Sequence, residues 1–396
     1  PARSSLQTGM YATSTGCFRN GIALPGGQRT LAHHFREAGY ATAYIGKWHL
    51  AGEGVIGPVP SEQRGGYDEW LASNILEFTS GPYATTVYDG AGRAARLPGY
   101  RVDALADAAI RYIDGHRHEP FFLFLSFLEP HHQNTTGDYP APDGYAERYA
   151  GRWMPPDLAA LGGSAPQHLG GYFGMVRRLD EAFGRLLDAL TSLALTDRTI
   201  VLVTSDHGCH FRTRNAEYKR SIHDASIRVP ALLGGPGFDR GSLVEDLVST
   251  VDLTPTLLDA AGLSVPPRMQ GRSVLPLLRG ERETWPEEVF IQVSEDRVAR
   301  GVRTHRWKYA AVAPDADPVA DEGAARYVEA FLYDLRHDPY ELTNLVGFAS
   351  HQEVAAVMRG RLIRRMVEAD EPAPMIEPAP VVPSGQLRVT AGEARQ

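Results

Sequence analysis

The sequence predicts an α/β fold, in which a mostly parallel central sheet flanked by helices is followed by a smaller C-terminal α+β part with a short antiparallel sheet. Apolar, strand-like runs alternate with amphipathic helical patterns over residues 1–280, which is typical of a sheet built from strand–helix units. After residue 280 the pattern changes to several short strands in succession. The chain has 396 residues, of which 43% are hydrophobic, and this length exceeds a typical domain of ~100–200 residues. We therefore expect a large unit over residues 1–280 and a smaller one over residues 281–396.

In the large unit, helical patterns lead into apolar strands. A helix over residues 30–38 ends at Gly39 and precedes a strand over residues 40–45. A helix over residues 102–113 precedes the run FFLFLSF at residues 121–127, which has the composition of a strand buried on both faces. The remaining elements are a long amphipathic helix, two apolar strands and a helix closed by a glycine, at residues 170–193, 199–204, 231–233 and 254–261.

The small unit has a different texture. Four short segments rich in β-favouring residues are expected to form antiparallel strands, at residues 289–293, 297–302, 307–312 and 331–335. A helix over residues 352–368 follows them. The tail from Glu371 onward is rich in proline and is expected to form an extended arm.

Composition limits the kind of partner this chain can bind. The formal net charge of −8 argues against a general nucleic-acid or anionic-membrane binder, and no apolar run approaches the ~20 residues of a membrane span. The two cysteines, Cys17 and Cys209, provide neither a disulfide framework nor a CxxC metal site. This low cysteine count favours a cytoplasmic location, and the compartment is otherwise undetermined.

Three of the predicted strands end in clusters of the same chemical kind. They are GKWH at residues 46–49, EPHH at residues 129–132 and SDHG at residues 205–208, and Lys219 lies a little further on. Because open α/β sheets bind ligands at the carboxyl ends of their strands, these side chains are expected to converge. Lysines and histidines would hold an anionic group there, and the aspartate suggests a hard cation that holds the same anion. Each residue alone is more often structural than catalytic, but the pattern shared by three strands favours a site.

The opening residues add a fourth element to this site. Residues 1–9 (PARSSLQTG) predict a short helix with Pro1 in its first turn and Gly9 at its end. A helix N-terminus stabilises an anion, and Arg3 lies in the first turn. A group placed just before Pro1 would therefore lie in a field suited to a nucleophile that attacks an anionic ester.

Together these motifs resemble those of the type I sulfatases of the alkaline phosphatase superfamily. The family hallmark Cys-x-Pro-x-Arg, followed by a helix ending in Thr-Gly, is matched in its later part by residues 1–9, and the second hallmark, GKWHL, stands at residues 46–50. The metal element SDHG stands at residues 205–208. Further matches run through nearly the whole chain in the family's order, at residues 130–131, 219, 226–230, 252, 255–258, 271–273, 332–335, 338–339, 341 and 344–345.

The resemblance implies a sulfuric ester hydrolase with an alkaline-phosphatase-like fold. In this family a Cys is converted to formylglycine, whose hydrate attacks sulfur. A calcium ion, usually held by three carboxylates and an amide or similar group, binds the sulfate oxygens. By matching position, Asp206 would be a metal ligand, and His207 would be a ligand or its close neighbour.

The same matching implies roles for five catalytic residues. Arg3 and Lys47 would hold the nucleophile, and Lys47 would bind the sulfate as well. His49 would hydrogen-bond the formylglycine hydroxyl and help to release sulfate. His131 and Lys219 would bind the sulfate, and one of them, with His131 preferred, would protonate the leaving oxygen.

The substrate remains the least determined feature. The stretch from Arg212 to Arg220 is basic and could contact an anionic or sugar substrate, although a solvated charged loop explains it equally well. Further candidates for the substrate pocket are Asn74, Glu77, His132, His210 and His223. The histidines and the basic loop favour a sulfated carbohydrate, while aryl, steroid and choline sulfates remain open as small-molecule alternatives.

The start of the sequence departs from the family pattern. It begins two residues after the position of the hallmark Cys, and the family's first strand, with its pair of metal-binding aspartates, has no counterpart in it. We therefore expect these residues to be an N-terminally truncated fragment of a longer protein that is a substrate of the formylglycine-generating enzyme. On that expectation the chain alone is inactive, because it lacks the nucleophile and about half of the metal ligands, and it exposes two strand edges.

Two other interpretations remain open. One is a phosphatase or phosphonate monoester hydrolase on the same fold, since such relatives share the metal core, although the x-Pro-x-Arg remnant and GKWH favour sulfate. The other is not an enzyme: a degenerate sulfatase fragment that binds a sulfated ligand or nothing.

Overall fold

The computed structural model describes residues 1–238, 241–385 and 388–395. In this part of the chain the α-helices are α1 (Ala2–Thr8), α2 (Ala12–Thr15), α3 (Leu31–Glu37), α4 (Leu76–Thr79), α5 (Arg101–Gly115), α6 (Tyr145–Tyr149), α7 (Pro156–Ala160), α8 (Ala165–Ser192), α9 (Asp224–Ile227), α10 (Leu253–Ala260), α11 (Leu275–Leu278) and α12 (Gln352–Glu368). The strands are β1 (Ala41–Lys47), β2 (Glu69–Ser73), β3 (Thr85–Asp89), β4 (Ala94–Leu97), β5 (Phe121–Ser126), β6 (Val201–Thr204), β7 (Ala231–Gly234), β8 (Val289–Val293), β9 (Ala299–Arg303), β10 (Trp307–Val312), β11 (Arg326–Asp334) and β12 (Met375–Glu377). Within these residues, none of the helices combines the length and the hydropathy that a bilayer crossing requires.

The central sheet has the strand order β4-β3-β2-β1-β5. Strands β2, β1 and β5 run parallel, and β3 and β4 extend the sheet as an antiparallel hairpin beside β2. The predicted fold class is confirmed: helices cover a largely parallel central sheet, and a second, mainly antiparallel sheet follows. The predicted helices and strands of both units lie on observed elements. Strands β2, β3, β4 and β12 and the short helices α2, α4, α6, α7, α9 and α11 were not predicted.

Strand β1 is buried on both faces, and each face packs against a different set of residues. Ala43 and Ile45 pack with α5, and the opposite face carries Tyr44, which stacks on Phe124 with ring centroids 5.1 Å apart. Burial on both sides explains why this strand is apolar almost throughout. Lys47 is the last residue of this strand, and His49 follows it by two residues.

Gly46 is required where β1 meets β5. Its φ is 108°, and a Cβ atom added there would lie 2.0 Å from the carbonyl oxygen of Ser126. We expect Gly46→Ala to lower the free energy of unfolding by at least ~2 kcal/mol, because a backbone atom cannot move aside as a side chain can. Urea unfolding would measure this loss. Gly184→Ala is the matched control: it lies within α8 with nothing within 4 Å of the added atom, and it should be neutral or slightly stabilising.

Strand β6 lies beside β5 without a ladder between them. In the described residues β5 pairs only with β1, and β6 pairs only with β7, which runs antiparallel to it. Val201 of β6 and the residues Phe121 and Leu123 of β5 pack against the same buried cluster, which consists of Ile113, Leu190 and Leu195. The carboxyl ends of β1, β5 and β6 therefore lie in one region, although β6 is not hydrogen-bonded to the larger sheet.

The C-terminal sheet has the order β12-β11-β10-β9-β8. One face packs on α12, through Trp307, Tyr309 and Leu332, and the other face receives Ile222 from the large unit. The proline-rich tail does not extend freely: β12 returns to pair in parallel with β11. Residues 386–387 and 396 of the predicted arm lie outside the described residues.

Asp252, at the junction between the two units, is expected to make stability pH-dependent. It is 8% exposed and accepts backbone hydrogen bonds from Ser249 and Arg272, and its burial raises the pKa to about 6. Because this value exceeds the ~3.9 of the unfolded chain, the folded state keeps the proton longer, and its stability falls as pH rises from ~4 to ~6, by up to about 3 kcal/mol. The stability of wild type relative to Asp252→Asn should therefore decrease over that interval in urea unfolding. A flat difference, like that expected for the exposed Asp259→Asn, would contradict the assignment.

Candidate functional site

The predicted catalytic and metal-binding residues converge at the carboxyl ends of β1, β5 and β6. Arg3 comes from the first turn of α1, Lys47 ends β1, and Lys219 comes from the loop between β6 and β7. Hydrogen bonds, ion pairs and close electrostatic contacts connect the predicted set of Arg3, Lys47, His49, His131, Asp206, His207 and Lys219. We call this set, together with Glu77, the cation cluster.

Arg3 ties four elements together. Its Nη1 donates to the carbonyl oxygen of Lys47 at 2.9 Å and to Oγ of Ser126 at 2.8 Å. Its Nε lies 2.9 Å from Oδ2 of Asp206. One guanidinium thus connects α1 with the ends of β1 and β5 and with the residue pair that follows β6.

Lys47 is held in a buried ion pair. Its Nζ lies 2.8 Å from Oε1 of Glu77, and the two side chains are 3% and 4% exposed. Burial lowers the pKa of the lysine from its ordinary value, and the Glu77 charge opposes this shift. The pair keeps the ammonium in a fixed position at the end of β1.

Asp206, His207 and Lys219 form the second half of the cluster. Burial alone would raise the pKa of Asp206, but two positive charges hold it well below its usual range: that of His207, which is protonated only at low pH, and that of Arg3. Nζ of Lys219 lies 3.0 Å from Nε2 of His207. Burial and the charge of Lys219 lower the pKa of His207 to about 4, so that its ring is neutral at pH 7.

His131 faces the same lysine. Its Nδ1 lies 2.6 Å from the carbonyl oxygen of His132, so Nδ1 carries a proton that it donates there. Its Nε2 lies 3.1 Å from the Tyr218 hydroxyl and 3.5 Å from Nζ of Lys219. Burial and the charge of Lys47 hold the pKa of His131 well below its usual value, so that Nε2 of the neutral ring is an acceptor.

His49 completes the cluster. Its backbone lies in the left-handed region with a φ of 62°, and its N–H donates to the carbonyl oxygen of Asn74 at 2.9 Å. Burial, followed by the charges of Lys47 and Arg3, holds the pKa of His49 well below its usual value. Because the histidines are neutral, the three cations face only two carboxylates, and the site can accept an anion.

The residues predicted for the substrate pocket lie in different places. Asn74 is 1% exposed and uses its side-chain amide to hold the backbone of Ala51 and Val55. His132 is partly exposed and packs 5.4 Å from the ring of Tyr218. The structure therefore places His132 at the edge of the cluster, and Asn74 directly after β2 with its side chain bonded to the loop that follows β1.

His210 and His223 lie behind the cluster rather than in it. His210 is fully buried, and its Nε2 lies 3.0 Å from the carbonyl oxygen of Lys219. His223 is 5% exposed, and its Nε2 lies 3.1 Å from the hydroxyl of Tyr333 in β11. Both support the loop that presents Lys219.

Two residues that contact the cation cluster were not predicted to take part in the site. Tyr218 contacts His131, and Ser126 accepts a hydrogen bond from Arg3. Tyr218 stands next to Lys219 in the basic loop, and Ser126 is the first polar residue after the apolar run of β5. Their positions in the sequence were visible, but their partners, 87 and 123 residues away, were not.

A cation could be held here by Asp206 and His207. Calcium takes about six to eight oxygen ligands, and the described residues contain no group of three or more His, Cys, Asp or Glu side chains that could hold a metal ion. Asp206 offers a hard carboxylate oxygen, with the imidazole of its neighbour 3.8 Å from Oδ1. These residues fit part of a cation site and do not complete one.

Comparison with known proteins identifies the family. The family described as Sulfatase matches residues 1–263, and one described as N-sulphoglucosamine sulphohydrolase, C-terminal, matches residues 216–368. An ulvan-active sulfatase of Formosa agariphila is 28% identical over 386 residues, which cover 93% of this chain and 71% of that protein. An N-acetylglucosamine-6-O-sulfatase of Bacteroides thetaiotaomicron is 25% identical, over 89% of this chain and 74% of that protein.

Solved structures agree with this assignment. The crystal structure of the yidJ protein of Bacteroides fragilis, described as a sulfatase, has a TM-score of 0.80 at 25% identity and covers 94% of this chain and 86% of its own. A phosphonate monoester hydrolase of Silicibacter pomeroyi has a TM-score of 0.67 at 21% identity, over 93% of this chain and 86% of its own. The second likeness shows a shared fold alone.

Proposed function

The chain belongs to the sulfatase family, whose members hydrolyse sulfate esters, and we propose that it does so with a formylglycine nucleophile and a bound calcium ion. The observation that best supports this proposal is the convergence of Arg3, Lys47 and Lys219 around Asp206. These cations come from distant parts of the chain and are buried together. Burying like charges is costly, and an anionic substrate such as a sulfate ester compensates for that cost.

The cations of this chain would bind and orient the ester. Lys47 and Lys219 would hold the sulfate oxygens, whose negative charge they match. Arg3 would orient the nucleophile, because it lies in the first turn of α1, next to the position that precedes Pro1. Since Glu77 and Asp206 hold two of these cations in place, little rearrangement would be needed when the substrate binds.

Lys219 is a better candidate than His131 for the group that donates a proton to the leaving oxygen. The donated bond from Nδ1 leaves His131 with a lone pair at Nε2, facing the ammonium of Lys219. Burial and the charge of Lys47 lower the pKa of Lys219 to about 8, so the amine is protonated at pH 7 and is a stronger acid than an exposed lysine. His131 would then bind sulfate and orient the amine, with Tyr218 as its neighbour.

The nucleophile and the cation would complete this arrangement. By the family's motif, formylglycine would stand two residues before Pro1, made from a Cys by the formylglycine-generating enzyme, and its hydrate supplies the attacking oxygen. Asp206 and His207 would in part hold the calcium ion, which would supply positive charge to stabilise the sulfate. His49 would hydrogen-bond the hydroxyl of the formylglycine.

We favour a sulfated carbohydrate as the substrate. The related N-acetylglucosamine-6-O-sulfatase is named for such a substrate. At the edge of the cation cluster, the half-buried rings of His132 and His168 pack on each other and on the buried ring of Tyr139, with centroids 5.3–6.4 Å apart. Rings with polar tips suit a sugar, which presents both apolar faces and hydroxyl groups.

The decisive experiment is turnover by protein expressed from a start upstream of Pro1 that includes the hallmark Cys position, together with the formylglycine-generating enzyme. An aryl sulfate, a sulfated sugar and an aryl phosphonate would be compared by kcat/KM, with and without calcium. We expect calcium-dependent hydrolysis of the sulfates, lost in Lys47→Ala and kept in Arg268→Ala, an exposed residue far along the chain. Calcium should also raise Tm, and Asp206→Ala should abolish that rise.

Other outcomes would redirect the proposal. Preference for the phosphonate would assign the phosphonate monoester hydrolase activity instead. Absence of turnover in protein with a verified aldehyde, on all three substrates, would count against the enzyme. Turnover that survives conversion of the upstream Cys to Ala would contradict the formylglycine nucleophile.

A further inference from the structure

A second cavity lies behind the loop that carries Lys219. It has a volume of about 210 Å³ and lies between that loop and the C-terminal sheet. Its walls include Arg214, Ser221 and His223 from the loop, and Arg297 and Tyr333 from the sheet side. This space is large enough for a single sugar ring, and the catalytic roles proposed above do not use it.

Arg214 brings a positive charge to this cavity. Its Nη atoms donate to the carbonyl oxygens of Tyr340 and Glu341 at 2.8 and 2.9 Å. Its Nε is buried and has no hydrogen-bond partner, and no ion pair to Arg214 exists in the part of the chain that the structure describes. Carbonyl oxygens satisfy N–H groups but do not neutralise a guanidinium, so a charge-assisted partner is missing.

His223 presents a second unsatisfied group. The residue is 5% exposed, and its Nδ1 is buried without a partner among the described residues, while Nε2 is occupied by Tyr333. Burial, followed by the charge of Arg214, lowers the pKa of His223 to about 2, so the ring is neutral. A buried neutral imidazole nitrogen without a partner costs free energy unless a ligand or a water satisfies it.

The rest of the wall leaves this charge uncompensated. Arg297 pairs with Asp296 at 2.6 Å, so those two charges cancel. Arg214 is then the excess charge, beside one neutral nitrogen and the hydroxyls of Ser221 and Tyr333. This combination suits an oxyanion on a hydroxylated molecule better than it suits an apolar group or a cation.

The cavity is also linked to the cation cluster by the chain. Ser221, in its wall, is two residues from Lys219, and Nε2 of His210 bonds to the carbonyl oxygen of Lys219. A molecule held in this cavity would contact the loop that presents Lys219. The cluster and the cavity therefore share one loop, on which Lys219 and Ser221 are two residues apart.

We propose that this cavity binds an anionic group, a carboxylate or a sulfate, on the sugar next to the one that carries the ester to be cleaved. The proposal rests on the proposed function and narrows its substrate to an acidic oligosaccharide. Arg214 binds the anion, and His223 hydrogen-bonds the sugar. The carboxylate and the sulfate share the required chemistry, and binding measurements separate them.

The test is direct binding by ligand-observed NMR, using the same protein preparation as the turnover assay. Three probes are compared: glucuronate, 6-deoxy-6-sulfoglucose, which has no ester bond to cleave, and glucose. We expect at least one acidic probe to bind at least ten times more tightly than glucose and to bind Arg214→Gln at least ten times more weakly than wild type. Arg268→Gln, an exposed matched control, should bind like wild type.

The test also covers a variant that does not fold. Should Arg214→Gln fail to fold, Arg297→Glu at a half-exposed position of the same wall is expected to give the same loss. Loss of glucuronate binding identifies a carboxylate, and loss of sulfosugar binding identifies a sulfate. Equal binding of glucose, binding unaffected by both variants, or binding lost only in Lys47→Met overturns the proposal. The binding test does not depend on hydrolysis, so it can be compared with the separate turnover assay. Normal turnover without binding of an acidic probe contradicts the subsite alone. Binding of an acidic probe without turnover contradicts the proposed function alone.

Discussion

Replacement of Lys219 by alanine is expected to lower kcat/KM for a sulfated sugar by roughly 10²–10⁴-fold, the usual contribution of a general acid. For 4-nitrophenyl sulfate the expected loss is much smaller. A sugar alkoxide is a poor leaving group that must be protonated as the bond to sulfur breaks, whereas a nitrophenolate leaves without a proton. The quantity to measure is therefore the fold loss of kcat/KM for the sulfated sugar divided by the fold loss for 4-nitrophenyl sulfate. Any change in the amount of folded enzyme cancels in this ratio.

The same ratio separates Lys219 from His131. Nζ of Lys219 lies 3.5 Å from Nε2 of His131, so either group could in principle reach the leaving oxygen. If Lys219 is the acid, His131→Ala should lower kcat/KM for both substrates by similar factors, because it removes a group that binds sulfate in each case. The opposite pattern, with leaving-group dependence in His131→Ala alone, would give the proton to His131.

Tyr218→Phe provides the finer control. Its hydroxyl lies 3.1 Å from Nε2 of His131, and removing it takes away one hydrogen-bond partner while keeping the ring that packs there. We expect a loss of about tenfold or less, equal for both substrates, since one neutral hydrogen bond contributes about 1 kcal/mol.

Sequence patterns were sufficient to predict the site residues that directly follow a strand or begin a helix. The motifs after β1, β5 and β6 follow apolar strands, and the sheet brings their ends together, so the convergence of Lys47, His131 and Asp206 could be predicted. The presence of Arg3 at the site could be predicted as well, because the sequence places it in the first turn of a helix. These residues stay predictions as catalytic groups until variants are measured.

Pairings between distant residues could not be predicted in the same way. Glu77 was predicted for the substrate pocket, and the structure places its carboxylate on Lys47, 30 residues away. Which carboxylate neutralises a buried lysine depends on where the chain turns after β2 to form α4, and no local pattern encodes that turn. The same reasoning applies to Tyr218 and His131.

The hairpin of β3 and β4 shows a different limit. Asp89-Gly90 stands between two segments with alternating side chains, which is a signal for a tight turn. The segments are only 5 and 4 residues long, and β4 alternates between exposed and half-buried residues. Strands this short, of which β4 is at the edge of the sheet, have too little apolar content to stand out from a loop, so they were missed although the turn signal was present.

Glu77→Ala is expected to lower the free energy of unfolding by about 3–5 kcal/mol, the usual cost of breaking a buried ion pair by removing one partner. Both side chains of the Lys47–Glu77 pair are less than 5% exposed, and the variant would leave the ammonium buried without its counter-charge. Urea unfolding measures the loss. Glu329→Ala is the matched control: Glu329 is a buried carboxylate that pairs with Arg359 in the C-terminal part, and its loss should destabilise the protein without lowering kcat.

The double variant Lys47→Met/Glu77→Leu then shows why the pair is present. Two apolar side chains of similar size remove both charges, so no buried charge is left unpaired, and we expect most of the stability lost in Glu77→Ala to return. Turnover should not return, because the ammonium that would bind the sulfate is absent. If the double variant recovers both stability and activity, Lys47 is not part of the catalytic machinery. If it recovers activity but not stability, the role of the pair is to stabilise the fold. If it recovers stability but not activity, the buried charge of Lys47 is required for catalysis.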